Sequence, residues 1–580
     1  MGNDRTKPNV IIVLTDDQGY GDLGCHGSPW MITPNLDAFH ADAASFSDFH
    51  VSPLCTPTRG ALMTGRRPLV NGAWGVYSGR SILHRDEVTM ADIFSENGYR
   101  TGLFGKWHLG DNYPYRPQDR GFQHVVAHKG GGVGQTPDFW GNNYFDDTYF
   151  KDGVPVQYEG YCTDVWFDEA LKFITDAKED PFLAVITTNA PHVPYLVDEK
   201  YEQLYRDNPD IPYPPFCGMI TNIDENFGRL REELRRLELE ENTILIFMTD
   251  NGSSGGILVD DDRFVYQGYN AGMRGRKRDN YDGGHRVPFF IRWPAGGIAG
   301  GRSIDQLSCH IDLLPTLAEL CTIELPQPEK LDGRSLVPLL RNEISRFPDD
   351  RMEILHIGTD FNQLPEKWNN VVLSFRWRLV HRDELYDIKQ DPEQRNNLAE
   401  EYPEVVERMG AYHEDWWSAV CGGLDEYARI PLGNGVENPV KLDAFDVMGD
   451  AAVHQIDLLR ASRNSGRWAV DVEKPGSYRI SLRRWPVELG LPIKQELSDD
   501  AAARIAPYGG AVTHCTPMAM ERARMKLFGI ELTRDIAVDD PAVSFEVELS
   551  DTGETTLDAW FETSDGREQG AYYVYVDFKG

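Results

Sequence analysis

A chain of 580 residues with 41% hydrophobic and 26% charged residues is too long for one ordinary hydrophobic core and predicts one large domain with one or two smaller units. Its 58 Lys and Arg stand against 92 Asp and Glu, a formal charge of -34. That is the opposite of the basic footprint that phosphate backbones require, and it excludes DNA and RNA as partners.

Met1 to Asn9 runs straight into Val10–Leu14, too short an apolar run for a secretory core and better read as a buried strand. No later run reaches transmembrane length, so no membrane partner is expected. As numbered the chain reads as cytoplasmic, or as periplasmic or secreted if a leader was removed. Cysteines at 25, 55, 162, 217, 309, 321, 421 and 515 form no Cys-x-x-Cys pair, which argues against a zinc site or a disulfide framework.

In chain order, Val10–Leu14, Phe182–Thr187 and Ile244–Thr249 are short apolar runs of the kind buried on both faces. Val88–Asn97 and Met219–Leu237 carry helical periodicity, the first stopped by Asn97-Gly98. This alternation predicts an α/β domain over residues 1–345, a large mainly parallel sheet sandwiched by helices. Around Trp377 the pattern becomes strand-like and Pro403–Trp417 then reads as a helix, a small α+β subdomain over 346–430 packed on the first. Short alternating strands at Arg467–Val472, Tyr478–Leu482, Val543–Leu549 and Tyr572–Phe578 predict a β-sandwich over 440–580. Residues 430–442 have the composition of a linker.

Polar groups stand at two strand ends. Asp16-Asp17 follows the first strand and Asp250-Asn251 follows Ile244–Thr249, and ligands of open α/β sheets gather at the carboxyl ends of strands. Three carboxylates and one amide oxygen make a hard, all-oxygen set suited to calcium or magnesium and poorly suited to zinc. An Asp pair after a strand also serves as a turn or helix cap, and position alone leaves both readings open.

The most specific stretch is V-S-P-L-C-T-P-T-R-G-A-L-M-T-G-R-R-P at 51–68, in which Cys55, Pro57 and Arg59 form C-x-P-x-R. Alone, that pattern also fits a buried thiol before a turn and a helix. It has company: N-V-I-I-V-L-T-D-D-Q-G-Y-G-D-L-G at the start, T-P-N-L-D at 33–37, and G-Y-R-T-G-L-F-G-K-W-H-L-G at 98–110. A-P-H-V-P contains His192, M-T-D-N-G contains Asp250 and Asn251, and M-R-G-R-K-R-D-N-Y-D-G-G-H-R-V-P at 273–288 contains Lys277. In order and spacing, from residue 8 to about 400, the chain resembles the type I, formylglycine-dependent sulfatases of the alkaline phosphatase superfamily.

The resemblance implies that a separate formylglycine-generating maturation enzyme oxidises Cys55. It implies that Asp16, Asp17, Asp250, Asn251 and the residue made from Cys55 hold a divalent cation, calcium or else magnesium. A hydroxyl of the hydrated formylglycine then attacks sulfur, with the cation and Arg59 favouring its alkoxide. Lys106 and Lys277 neutralise the sulfate oxygens, and His192 with Lys277 assists departure of the alcohol. His108 removes the proton that lets the sulfate ester on the enzyme collapse to free sulfate.

Lys106 and His108 alternate in G-K-W-H-L-G, and an extended backbone would turn both to one side. His192, before Val193-Pro194, reads by itself as a loop histidine. Two departures from the family pattern are Asp282 where Glu is common, and Arg276 and Arg278 flanking Lys277 where small residues are common.

For the leaving group, the unusual loops are H-K-G-G-G-V-G-Q-T-P-D-F-W-G-N at 128–142 and H-I-G-T-D-F-N-Q-L-P-E-K-W at 356–368. Their content suits a sulfated sugar over a steroid or lipid sulfate. Trp140 is placed to stack on a pyranose and Asp360, Asn362 or Gln363 to read hydroxyls, with His356 a further substrate-binding candidate and Arg276 either adding positive charge near the anionic substrate or standing as a solvated structural residue, although a loop Trp serves equally as a packing anchor. The nearest rival is a phosphonate monoester or phosphodiester hydrolase using the same formylglycine site. A glycan-binding protein on a degenerate scaffold would have lost Cys55 or a metal ligand, and a two-zinc phosphatase would need further His ligands beside the Asp pairs.

Overall fold

Five strands run parallel through the middle of the computed structural model, in the order Thr243–Thr249, Asn9–Thr15, Phe182–Thr187, Arg100–Lys106 and His124–His128. Antiparallel Phe289–Arg292 and short edge strands widen this to a ten-stranded sheet. The structure describes residues 7–580 apart from 349, 359–360, 504, 506–514 and 565.

Every residue of Asn9–Thr15 is buried, as a strand covered on both faces requires. Val10, Ile12 and Leu14 enter one core, beneath helices Met90–Glu96 and Leu313–Leu320. Ile11 and Val13 enter the other, beneath Cys162–Ala177 and Pro214–Arg236. Each fully buried aliphatic side chain contributes about 1.5–3 kcal/mol, and a one-residue slip would exchange the two faces. Burial therefore fixes the register, which sets Thr15 level with Thr249 and brings Asp16 and Asp250 out side by side.

Helix starts differ from the sequence reading for local reasons. The helix expected from Val88 begins at Met90 because Thr89 caps it: the Asp92 N–H donates to Thr89 Oγ1 at 3.2 Å, and the Thr89 N–H donates to Asp92 Oδ2 at 2.9 Å. The helix expected from Met219 begins a turn earlier, at Pro214, where proline's missing N–H costs nothing.

Beyond the main sheet, Glu353–His356, Asn370–Leu373, Trp377–Val380 and Glu384–Asp387 form a four-stranded antiparallel sheet, and helix Pro403–Val420 shares its core through Val405, Met409 and Trp416. The last part of the chain folds into a six-stranded and a four-stranded sheet around a common core that includes Trp468, Ile480, Phe545, Leu557 and Val574. Residues 430–442 are not a plain linker. Ile430–Leu432 pairs in parallel with Arg467–Val472, and Val440–Asp443 pairs with Tyr573–Phe578, so the segment supplies a strand to each sheet. Its Gly, Asn and Pro mark only the turn between the two.

Candidate active site and metal centre

The parallel strands end along one edge of the sheet, and each delivers polar groups there. Asp16 and Asp17 follow one strand, Asp250 and Asn251 follow its neighbour, Lys106 closes a third, and the strand ending at Thr187 leads on to His192. Cys55 opens helix Cys55–Thr64 and Arg59 lies one turn further along it. The Lys277 loop is tied to the segment after Asn251 by the Lys277 N–H donating to the Ser253 carbonyl at 3.1 Å.

These side chains interlock. Arg59 donates to Asp250 Oδ2 from Nε at 3.1 Å and from Nη2 at 2.8 Å, and from Nη1 to the Lys106 carbonyl at 2.9 Å. Lys106 Nζ donates to Asp16 Oδ2 at 2.7 Å, and Lys277 Nζ lies 2.6 Å from Asp17 Oδ1. His192 Nε2 stands 3.8 Å from Asp17 Oδ2. Cys55 Sγ is 3.5 Å from His108 Nδ1, and the other nitrogen of that ring, Nε2, lies 2.9 Å from the Val76 carbonyl. That carbonyl can only accept, so it places the ring proton on Nε2 and leaves Nδ1 able to receive one.

Asp17 and His108 adopt left-handed backbones, with φ of 69° and 61°, at a cost of about 1–3 kcal/mol each. The Asp17 turn is held by its N–H donating to Asp250 Oδ1 at 3.0 Å and by the Ser254 N–H donating to its carbonyl at 3.1 Å. At His108 the turn also corrects the sequence reading. The strand stops at Lys106, and the left-handed residue, rather than extended alternation, aims the imidazole at Cys55.

Charge is balanced and buried. Asp16, Asp17 and Asp250 are fully buried and face the cations of Lys106, Lys277 and Arg59. Burial pushes Asp250 up to about 6, with repulsion from Asp16 next. Burial also acts on Asp17, but Lys277 and then His192 outweigh it and hold the carboxyl far below its usual range. Burial lowers His192 to about 4 against the pull of Asp17, and lowers His108 well below an ordinary histidine, with Lys106 adding to the effect. The Cys55 thiol is raised, chiefly by burial.

One observation tests whether this set fits a cation. Asp16 Oδ1, Asp17 Oδ2 and Asn251 Oδ1 are buried oxygens with no hydrogen-bond partner, and Asp16, Asp17 and Asp250 offer ligand oxygens within 4.8 Å of one another. Stranding such atoms costs about 1–3 kcal/mol each, more for charged groups. An all-oxygen cluster of this kind fits a hard divalent cation. A second compact group, His50, Asp282 and His285, already encloses a cation of the chain's own: Arg378 donates to Asp282 Oδ1 at 3.0 Å and to Asp48 Oδ1 at 2.7 Å.

The sulfatase family model matches residues 8–323, and a model of the N-sulphoglucosamine sulphohydrolase C-terminal region matches residues 275–414. The chain belongs to the sulfatase family. It is 32% identical to human arylsulfatase A over 363 residues, 57% of this chain and 68% of that protein. It is 27% identical to the N-acetylgalactosamine-6-O-sulfatase of Bacteroides thetaiotaomicron over 506 residues, 70% of this chain and 93% of that one. The crystal structure of Ps i-CgsB in complex with k-i-k-neocarrahexaose has a TM-score of 0.64 and 26% identity, covering 73% of this chain and 95% of that chain.

A divalent metal and a formylglycine belong to sulfatases in general. In this sulfatase, Cys55, Arg59, Lys106, His108, His192, Lys277 and the Asp16, Asp17, Asp250 and Asn251 quartet come together. The expected sugar readers do not gather so clearly. Trp140 packs edge-on against Trp485, ring centroids 5.6 Å apart. His356 Nε2 lies 2.9 Å from the Glu366 carbonyl and its ring lies beside Trp417. Asn362 is engaged with Ser78 and Asp450, Gln363 is exposed, and Asp360 lies outside the described residues. Arg276 is half-buried beside Lys277, its N–H donating to Asp279 Oδ2 at 3.0 Å.

Four neighbours escaped the sequence reading. Val76 fixes the His108 ring, and Tyr144 donates from its hydroxyl to the His192 and Val193 carbonyls at 3.0 and 3.1 Å. Gly131 lies so close that a Cβ there would stand 2.3 Å from His108 Cε1, and Phe445 places its ring centroid 6.0 Å from that of His108. Only Gly131, inside a glycine run, left any signal in the sequence.

Proposed function

We propose that this sulfatase removes sulfate from a sulfated carbohydrate, with the residue made from Cys55 as nucleophile and calcium, or else magnesium, held by Asp16, Asp17, Asp250 and Asn251. The observation that carries the reading is the meeting of Cys55 with His108 beside the three partnerless oxygens of Asp16, Asp17 and Asn251. The carbohydrate rests on the relatives' names: an N-acetylgalactosamine-6-O-sulfatase and a protein solved with a neocarrahexaose.

When present, the cation and the hydrated formylglycine supply a polarising charge, a hydroxyl for attack on sulfur, and a second hydroxyl for release. The chain's own residues do the rest. Three carboxylates and three basic side chains already balance, so a divalent cation leaves the site positive and receptive to an anionic ester. Lys106 and Lys277 face the sulfate oxygens as negative charge shifts towards the leaving group. His192, beside Lys277 and Asp17, protonates the departing alcohol. His108, with its proton held on Nε2 by Val76, accepts the proton of the second hydroxyl at Nδ1. A formylglycine-generating maturation enzyme is the partner this chemistry requires.

The test is sulfate release from protein co-expressed with such an enzyme, against sulfated sugars and an aryl sulfate, with phosphate and phosphonate esters in parallel and calcium added or chelated. Release that needs both the cation and Cys55 is expected. Full turnover by Cys55→Ala would sink the nucleophile assignment, and turnover of phosphonate or phosphodiester with inert sulfates would replace the substrate class. Cys55→Ser, with no second hydroxyl, is expected to stall with sulfate attached, visible as an adduct by mass spectrometry.

A further inference from the structure

Val76, Gly131 and Phe445, which fix the His108 ring, each belong to the C-terminal sandwich or lie on a segment tied to it. Phe445, which lies against the ring, belongs to it. The Val76 segment is tied to it two residues on, where the Ser78 N–H donates to the Phe445 carbonyl at 2.9 Å and Ser78 Oγ to the Gly449 carbonyl at 2.8 Å. Gly131 sits in a loop whose opposite limb is stitched to the sandwich. The Thr136 N–H donates to the Val453 carbonyl at 2.9 Å and its hydroxyl to that of Ala452 at 2.6 Å, while the Tyr573 hydroxyl donates to the Thr136 carbonyl at 3.1 Å.

Gln455 closes this seam. It is fully buried, and its whole amide is spent on the loop: Nε2 donates to the Gln135 and Phe139 carbonyls at 3.2 and 3.1 Å, and Oε1 accepts from the Gly141 N–H at 3.0 Å. The side chain of Gln135 then reaches back, its Oε1 accepting from the Gly131 N–H at 2.6 Å. A continuous chain of hydrogen bonds and one close packing contact thus runs from the sandwich to the imidazole. The two family matches end at residues 323 and 414, before any of the sandwich residues in this seam.

We infer that the C-terminal sandwich is a working part of the active site, and that Gln455 is a positioning residue holding the 130–141 loop against His108 for the second step of the reaction. This rests on the proposed role of His108. In that step Nδ1 takes the proton of the remaining hydroxyl, the freed electron pair closes the carbonyl, and the C–O bond to sulfate breaks with its pair leaving on sulfate. No oxidant or co-reactant is needed. The first step, attack on sulfur and loss of the alcohol, does not call on Nδ1 of His108. Displacing the loop therefore separates the two steps, where a general loss of folding would slow both together.

The experiment uses the full, matured chain and a chromogenic aryl sulfate, following alcohol and sulfate separately in the wild type, Gln455→Met and Tyr573→Phe. Gln455→Met keeps the volume and loses the amide; Tyr573→Phe removes one bond to the loop. Sulfate release is expected to slow by about 10²-fold in Gln455→Met, with a burst of alcohol approaching one equivalent of enzyme, and to slow less in Tyr573→Phe. Slowing of both products from the first turnover with no alcohol burst, or no slowing at all, overturns the inference. Hydrogen–deuterium exchange on the same proteins decides independently of turnover. Peptides over 128–142 and 104–110 should both exchange about tenfold faster in Gln455→Met, and an unchanged 104–110 overturns the inference. If the wild type releases neither product, the proposed reaction fails while the exchange result still judges the coupling.

Discussion

Arg59 spends three donors at once, two on one oxygen of Asp250 and one on the Lys106 carbonyl. A lysine offers a point charge without that fork, so Arg59→Lys is expected to lower kcat/KM by about 10²-fold, the scale on which small misplacements cost rate. Steady-state kinetics with saturating cation will check it. The partnerless oxygens of Asp16, Asp17 and Asn251 lead to a second expectation, independent of catalysis. Calcium at about a hundred times its Kd should stabilise the folded chain by about 2.7 kcal/mol, seen as a raised melting temperature. Asp16→Asn should weaken the response, and an equal rise in that variant would mean the ion binds elsewhere.

At the scale of elements, Arg378 joins three parts of the chain. It stands in the strand Trp377–Val380 of the small sheet and reaches Asp48, just before the segment leading to Cys55, and Asp282, just after the Lys277 loop. All three side chains are buried. Arg378→Met strands two carboxylates and is expected to cost about 3–5 kcal/mol, read as a lower denaturant midpoint. Adding Asp48→Asn and Asp282→Asn should recover much of the loss. Asp282, a departure from the family pattern, is thus bound into the clamp that seats the Lys277 loop.

Elements were legible in the sequence where burial alone decides them. The runs at Val10, Phe182 and Ile244 are strands because both faces are covered, and the meeting of Asp16-Asp17 with Asp250-Asn251 at the ends of two of them follows from the register. What periodicity does not carry is a change of direction. Nothing in G-K-W-H-L-G announces a left-handed His108, nor do Val76 and Phe445 carry a sign that they will meet that ring. Trp140, read as a stacking surface, has a rival for its indole in Trp485, which no local pattern reveals. Long-range packing chooses among the uses that a residue type allows.

At the scale of the whole molecule, the sandwich meets the catalytic sheet across a buried acidic seam. Asp111, Asp443 and Asp446 lie there with Lys129 and Lys441 for company. Burial pushes Asp446 well up, with repulsion from Asp443 and Asp111 adding to it, and burial raises Asp443 to about 6 against the pull of Lys441. A carboxyl whose folded pKa lies above its unfolded value of about 3.9 contributes fully below that value, and the contribution is lost as pH rises through 6. Sandwich docking should therefore weaken as pH rises from about 4 through 6, and further as Asp446 ionises. Asp446→Asn is expected to raise the melting temperature at pH 8 by about 2–4 °C and to change it much less at about pH 4, near the unfolded value. An equal shift at both would show that the seam's charge is not what titrates.

Cys55 is only 3% exposed, and the His108 ring beside it packs against Phe445 of the C-terminal sandwich. A growing chain emerges from its amino end, so Cys55 is made well before the sandwich that completes its surroundings. If Cys55 is oxidised as proposed, the reaction is thereby a matter of timing. The maturation enzyme proposed above would have to act on an open segment, before the chain closes over it. A variant that folds too early would be complete in shape and lack its nucleophile.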